Sequence, residues 1–152
     1  MFKKILLFIV LNFGALAIGG FFTGPGVASD WYQNLNQAPW TPPGWVFGSA
    51  WTFIMICFAF YMAYLLSSKI DRNKVILLFS IQWVLNVSWN PVFFSFQKVL
   101  PGLIIISSLT LLVGFFLFNF QKELKSKTLL ITPYFIWLLI ATSLNAYIFF
   151  YN

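Results

Sequence analysis

Hydrophobic and polar positions divide this chain into five long apolar runs separated by polar segments. The runs cover residues 5–22, 45–67, 75–96, 100–120 and 129–151. A helix needs about 20 residues to cross the hydrocarbon core of a bilayer. The pattern therefore predicts an all-α integral membrane protein. We expect a single domain, residues 1–152, folded as a five-transmembrane-helix bundle.

The connections between the runs are unequal in length. Three are short, at residues 69–74, 97–98 and 121–127, which favours antiparallel neighbours in a compact bundle. The connection over residues 23–44 is much longer, and long loops are commonly lids or binding loops. We expect a long lid loop between the first and second transmembrane helices.

The first apolar run has an alternative interpretation as a signal peptide. Lys3 and Lys4 would form the basic region, and Ala15-Leu16-Ala17 fits a cleavage site. The apolar stretch nevertheless continues to Phe22 without a break. This continuity favours a membrane anchor.

Composition supports the membrane class. Hydrophobic residues make up 61% of the chain and charged residues 8%, with a mean hydropathy of +0.87. Soluble domains carry about 25% charged residues. The net charge of +6 resides in short clusters between apolar runs and lacks a nucleic-acid-binding motif, so we expect no nucleic acid partner.

The basic residues also predict an orientation. When successive connections are assigned to alternate sides, one side receives only Lys98. The other side receives Lys3, Lys4, Lys69, Arg72, Lys74, Lys122, Lys125 and Lys127. Cytoplasmic loops carry the excess of Lys and Arg. We expect a cytoplasmic N-terminus, and a bacterial inner membrane fits this arrangement best.

Several residue types that carry chemistry are missing from the runs. The chain has no histidine, and no Asp, Glu, Lys or Arg lies inside a predicted span. Histidine is the commonest general base, metal ligand and haem ligand, and the chain lacks it. The lack of charged residues in the spans disfavours an ion-coupled pump. The single cysteine, Cys57, lies within an apolar run as a small hydrophobic residue. We expect no metal site and no cofactor.

Neutral polar and aromatic residues share faces on two of the predicted helices. These residues are Gln82, Asn86, Asn90, Trp89 and Phe93 in the third run and Tyr134, Trp137, Ala141 and Asn145 in the fifth. Amides in hydrocarbon need partners, so one interpretation is hydrogen bonding between packed helices. The other is a pocket with aromatic walls for a flat apolar ligand. Pro91 predicts a kink near this face.

Tryptophan and proline are concentrated in residues 31–51. This stretch contains Trp31, Pro39, Trp40, Pro42, Pro43, Trp45 and Trp51. The Pro42–Pro43 pair cannot continue a helix, and an apolar run starts directly after it. We expect a loop that ends by starting the second transmembrane helix. Tryptophan suits a membrane–water boundary.

Three spaced motifs resemble the TspO/translocator protein family, also called tryptophan-rich sensory proteins or peripheral-type benzodiazepine receptors. The first is WYxxLxxxxWxPPxWxFGxxWT from Trp31, the second QxxLNxxWxxxFF from Gln82, and the third PYxxWxxxAxxLN from Pro133. They occur in order on three predicted helices and the loop before one of them. The resemblance covers almost the whole chain.

The resemblance implies a five-helix bundle, usually homodimeric, with a ligand cavity under the first loop. It implies binding of porphyrins, sterols or lipids, and of synthetic isoquinoline and benzodiazepine ligands. The matching cavity residues are Trp51, Gln82, Asn86, Trp89, Phe93, Trp137, Ala141 and Asn145, and the matching lid residues are Tyr32, Trp40 and Pro42. Some bacterial relatives degrade protoporphyrin IX in light and oxygen, with tryptophans that match Trp51 and Trp137.

Two departures from the family pattern bear on the ligand. Gln37-Ala38 stands where the family often has Lys-Pro, which removes a basic group that would meet a propionate. Leu144 and Tyr147 begin a sterol-recognition pattern, but no basic residue follows them, so we do not expect cholesterol.

Four functions stay open from the sequence. The first is a membrane receptor for free-base tetrapyrroles and other flat apolar molecules. The second is photo-oxidative porphyrin degradation that depends on Trp51 and Trp137, because no ordinary acid, base or metal constellation is present. The third is transport of porphyrin or lipid, and the fourth is a scaffold whose partner contacts the basic clusters.

Overall fold

The computed structural model describes residues 1–152 as helices and connecting turns, without strands. The α-helices are α1 (Phe2–Ala28), α2 (Asp30–Gln33), α3 (Gly44–Leu65), α4 (Arg72–Asn90), α5 (Val99–Asn119), α6 (Gln121–Leu124) and α7 (Thr132–Tyr151). A π-helical turn, Pro91–Ser95, continues α4, and a 3-10 helix, Lys125–Leu130, joins α6 to α7.

Five of these helical segments are long and apolar enough to cross a membrane, as the sequence predicts. They are α1, α3, α4 with its π turn, α5 and α7. The five segments pack as a ring in the order α1, α3, α7, α5, α4, and α4 closes the ring against α1. The seam between α3 and α7 is the least extensively packed of the five.

The first connection is shorter than predicted. The prediction of a loop from residue 23 is wrong because α1 continues through Pro25 to Ala28. Gly26 packs so tightly on Phe94 that an added Cβ would overlap the Phe94 side chain. The proline removes one backbone hydrogen bond, while the close packing of Gly26 holds this part of α1 against the π turn. The lid therefore begins at Ser29, whose hydroxyl caps α2 by accepting the Tyr32 N–H at 3.3 Å.

Proline sets the ends of three other helices. As predicted, α3 begins directly after Pro43, whose backbone is extended. The predicted start of the last helix at residue 129 is wrong: α7 begins at Thr132, with Pro133 in its first turn, where a missing N–H costs nothing. The irregularity predicted at Pro91 takes the form of the π turn.

The centre of the bundle is aromatic. Phe58 and Tyr61 of α3 are fully buried, and the Tyr61 hydroxyl donates to the Phe116 carbonyl at 2.8 Å. The Phe58 ring meets the Tyr134 ring edge-on at a centroid distance of 5.2 Å. In a bilayer, such packing and hydrogen bonding hold helices together, since lipid is as apolar as the core.

Two hydrogen bonds show which segments lie together at one end of the bundle. The Lys4 ammonium donates to the Ser67 hydroxyl at 2.8 Å, and the Lys69 N–H donates to a Glu123 carboxylate oxygen at 3.1 Å. The N-terminus and the connections after α3 and α5 thus share one end, which carries the eight basic residues grouped above; we call it the basic end. Lys98 lies with the first connection at the other end, the lid end.

Candidate functional site

Two asparagines fasten the lid to the end of α7. The Asn36 N–H donates to the Asn152 side-chain oxygen at 2.8 Å, and the Asn152 side-chain nitrogen donates to the Asn36 carbonyl at 3.1 Å. The Asn36 side chain also donates to the Tyr151 carbonyl at 3.0 Å. We call this pair the lid latch.

Aromatic contacts reinforce the latch along α7. The Trp40 indole N–H donates to the Ser143 hydroxyl at 3.1 Å, and its ring meets Tyr147 edge-on at 5.5 Å. Trp40 thus joins the lid to α7, although 54% of it stays exposed. Pro42, the third predicted lid residue, is half-buried in the extended stretch before α3.

The short helix α2 rests on the π turn of α4. The Tyr32 ring lies 5.5 Å from that of Phe94 and 6.5 Å from that of Phe93, and Trp31 lies 5.6 Å from Phe93. Burial raises the pKa of the Tyr32 hydroxyl above its ordinary value. The lid therefore covers the predicted ligand residue Phe93, which is almost completely buried.

An upper pair of residues joins α4 and α7 beneath the lid. The Trp89 indole N–H donates to the Asn145 side-chain oxygen at 3.3 Å, and the Asn145 nitrogen donates to the Ala141 carbonyl at 3.0 Å. The Trp89 ring also stacks on Phe93, with 5.6 Å between centroids and 14° between planes. Four predicted ligand residues thus meet at this level.

A lower pair joins the same two helices nearer the basic end. The Gln82 side-chain nitrogen donates to the Tyr134 hydroxyl at 2.7 Å, and both residues are buried. The Gln82 side-chain oxygen is also buried but has no hydrogen-bond partner. An unpaired buried acceptor costs about 1–3 kcal/mol.

Two indoles stand together at this lower level. Trp51 of α3 and Trp137 of α7 meet edge-on at 6.5 Å, and Trp51 also meets Tyr134 at 5.9 Å. The Trp137 N–H is buried without a hydrogen-bond partner. Gln82 and Trp137 thus contribute an unpaired acceptor and an unpaired donor to one aromatic neighbourhood.

The upper and lower pairs lie at two levels of the interior between α4 and α7. These two helices are not neighbours in the ring. At a rise of 1.5 Å per residue, the pairs are separated by about 10 Å along α4 and about 16 Å along α7. Asn86 lies on α4 between the pairs, is half-buried and makes no side-chain hydrogen bond within the protein. No ionisable side chain other than tyrosine occurs at these positions, so the site is neutral.

The amide side chains of α4 and α7 differ in their hydrogen-bond partners. The prediction of hydrogen bonds between packed helices is confirmed for Gln82, Asn145 and Asn90, whose side-chain oxygen accepts the Thr23 hydroxyl at 2.6 Å. The Asn90 side chain therefore contacts α1, and its nitrogen donates back to the Asn86 carbonyl at 3.4 Å. The predicted ligand role of the remaining residues stays a prediction.

Sequence reasoning placed Tyr134 on the shared face of the fifth run but not among the ligand residues, and it missed Ser143 and Asn36. Tyr134 is the partner of both Gln82 and Trp51. Ser143 and Asn36 hold the lid, but no spacing in the sequence indicates contacts across more than 100 residues.

A separate groove of about 450 Å³ lies on the outside of the α3–α7 seam. Trp137 is the one predicted ligand residue that lines it. The other lining residues are Ala50, Phe53, Ile54, Leu129, Thr132, Pro133 and Ile136.

The fold and the site define a class of protein. It is an integral membrane protein with five spanning helices, an aromatic interior that carries amide side chains, and a lid fastened to α7. Comparison with known proteins agrees with it. The model of the TspO/MBR family matches residues 6–151. The chain is therefore an integral membrane protein that belongs to the TspO/MBR family.

Individual relatives cover most of the chain. The tryptophan-rich protein TspO of Chlorobaculum tepidum is 34% identical over 94% of each chain, and that of Archaeoglobus fulgidus is 34% identical over 98% of this chain and 99% of its own. The human translocator protein is 27% identical over 88% of this chain and 80% of its own.

Proposed function

We propose that this protein is a membrane receptor for flat apolar molecules, with free-base tetrapyrroles such as protoporphyrin IX as the best match. Sterols and isoquinoline or benzodiazepine drugs form the wider ligand class that the family resemblance implies. The ligand would lie between the Trp89–Asn145 and Gln82–Tyr134 pairs, beneath the lid.

One observation carries this proposal: the unpaired donor of Trp137 and the unpaired acceptor of Gln82 are connected by side-chain contacts through Trp51 and Tyr134. A free-base porphyrin has pyrrole N–H donors and ring nitrogen acceptors at the centre of its macrocycle, where side chains reach them only from the faces of the ring. Burying such a ring against indole and phenol faces is favourable, and pairing the orphaned groups removes their cost. The absence of charge at the site favours the ring over its propionates as the recognised part.

The membrane context extends the proposal. The basic end would face the cytoplasm, which places the lid on the opposite side of a bacterial inner membrane. The protein would act as a homodimer, as the family resemblance implies. In this arrangement a ligand dissolved in the membrane or the outer compartment meets the lid first.

A titration of the purified protein with protoporphyrin IX in the dark tests the receptor function. Porphyrin absorbance should shift saturably, and tryptophan fluorescence should be quenched. Trp137→Phe keeps an aromatic ring but removes the unpaired N–H, so it should weaken binding by about 5-fold or more. Trp83→Phe is the matched control, because the Trp83 N–H is already paired with the Leu11 carbonyl at 2.9 Å. Non-saturable quenching, or equal weakening by both variants, would refute the proposal.

The Trp51–Trp137 contact favours a second candidate, light- and oxygen-dependent degradation of the bound porphyrin. Two indoles in edge contact beside the ligand would be positioned to exchange electrons with an excited porphyrin. Illumination of the saturated complex should then bleach the porphyrin band. Trp51→Phe and Trp137→Phe should each slow bleaching at saturating porphyrin, whereas Trp83→Phe should not. A porphyrin band that stays stable under light would exclude degradation and leave the receptor as the only proposed function.

A further inference from the structure

The outer groove at the α3–α7 seam differs from the interior site in its position on the outside of the bundle and in its open side. It is open along one side and has a volume of about 450 Å³, within the range of about 300–1,000 Å³ for small-molecule sites. Its walls are mostly apolar and carry no charged side chain. The occupant must therefore be apolar over most of its length.

The groove opens away from the bundle, towards the surrounding bilayer. Three of its residues, Phe53, Leu129 and Ile136, are 58%, 71% and 52% exposed although they are large and apolar. Phe53 and Ile136 belong to helices that cross the membrane, so hydrocarbon rather than water meets this face. The bilayer itself is the source of any occupant.

The two ends of the groove differ in polarity. Thr132, the one hydroxyl residue of the lining, lies at the start of α7 near the basic end, whereas Ala50 lies towards the lid end. Lys127 stands two residues before Leu129, and its ammonium group lies 4.3 Å from the centre of the Tyr64 ring on α3. A cation is thus held where α3 meets the segment that leads into the groove.

We propose that this groove binds one acyl chain of an anionic phospholipid, whose headgroup is attracted by Lys127. A groove that is open to the bilayer on one side suits an acyl chain, whose other side is covered by neighbouring chains. The positive charge at one end complements a phosphate-bearing headgroup in the leaflet at the basic end. Trp137 forms part of the inner wall and separates this lipid site from Trp51.

Lipid retention measures this site directly. The protein is reconstituted in vesicles of equal phosphatidylglycerol and phosphatidylcholine, extracted in mild detergent, and the lipids that remain bound are counted by native mass spectrometry. The wild type should retain one phosphatidylglycerol. Ala50→Phe should lose it, because the added ring fills the groove. Ser49→Phe, which adds the same ring at an exposed neighbouring position outside the lining, should retain it.

A charge variant tests the headgroup without altering the groove. Lys127→Gln should lower the preference for phosphatidylglycerol over phosphatidylcholine by about fivefold, the value of one basic residue near a membrane surface. Lys98→Gln, at the lid end, should leave the preference unchanged. Retention that survives Ala50→Phe, or equal effects of Lys127→Gln and Lys98→Gln, would overturn the proposal. Porphyrin binding is measured in parallel, because Trp137 belongs to both the interior site and the groove.

Discussion

The Gln82 carboxamide and the Tyr134 hydroxyl are joined by a buried hydrogen bond of 2.7 Å across the bundle interior. This bond links two helices that are not neighbours in the ring of five. It fixes the lower boundary of the candidate site and leaves the Gln82 oxygen without a partner.

Removal of the Tyr134 hydroxyl should destabilise the protein. Tyr134→Phe leaves the Gln82 nitrogen buried without an acceptor, at a cost of about 1–3 kcal/mol. Thermal unfolding in detergent, followed by circular dichroism, measures the loss. The double variant Gln82→Leu with Tyr134→Phe should be more stable than Tyr134→Phe alone, because it removes both polar partners. Additive destabilisation by the two changes would contradict this account.

The lid latch should depend mainly on the Asn152 side chain. Asn152→Ala should raise amide hydrogen exchange in residues 30–38, because it removes both bonds to the Asn36 backbone; the latch contributes roughly 1 kcal/mol. Asn36→Ala should raise exchange less, because it removes only the side-chain bond to the Tyr151 carbonyl. Asn34→Ala is the matched control, since the Asn34 side chain is exposed and makes no hydrogen bond. An equal effect at Asn34 would show that the latch is irrelevant.

Two neighbouring glycines of α1 should respond in opposite ways to alanine. Gly26→Ala should destabilise the bundle by about 1–3 kcal/mol, because the new Cβ collides with Phe94. Gly24→Ala should be neutral or stabilising by up to about 1 kcal/mol, because nothing lies within 4 Å and alanine favours helix. Unfolding temperatures compare the two. Similar changes for both glycines would refute the close contact between α1 and the π turn.

Lid order should decline at high pH. Burial raises the pKa of Tyr32 above its ordinary value of 10.0, so folding favours the protonated hydroxyl. The stabilisation is complete below pH about 10 and is lost as pH rises from there through the folded-state pKa. The difference in lid opening between the wild type and Tyr32→Phe should therefore change only above pH about 10. A difference that appears between pH 6 and 9 would exclude Tyr32 as its cause.

How much of this fold follows from sequence depends on the range of the interaction. The five spans and the start of α3 follow from local hydrophobicity and the Pro42–Pro43 pair. The end of α1 does not, because a Gly-Pro-Gly stretch disfavours helix locally, whereas the contact between Gly26 and Phe94 joins residues far apart in the chain. Local patterns cannot report such a contact.

In the candidate site, too, local patterns were predictable and long-range contacts were not. Spacings of three and four residues place Gln82, Asn86 and Trp89 on one helix and Trp137 and Asn145 on another, and the structure joins Trp89 to Asn145. The partners themselves are not predictable from spacing. Asn90 follows Asn86 at the same interval, yet its side-chain oxygen accepts the Thr23 hydroxyl of α1. In a helix of 3.6 residues per turn, each step of four residues rotates the side chain by about 40°, so Asn90 is turned well away from Gln82.

Competition for the interior space is the most direct test of the central claim. Ala141 is buried at the level of the upper pair, so Ala141→Phe should fill the space proposed for the ligand. Leu139→Phe adds a ring of similar size on the exposed side of the same helix. Both folded variants are titrated with protoporphyrin IX in the dark. We expect saturable binding to be lost in Ala141→Phe and kept in Leu139→Phe; unchanged binding in Ala141→Phe would show that the ligand does not enter the bundle.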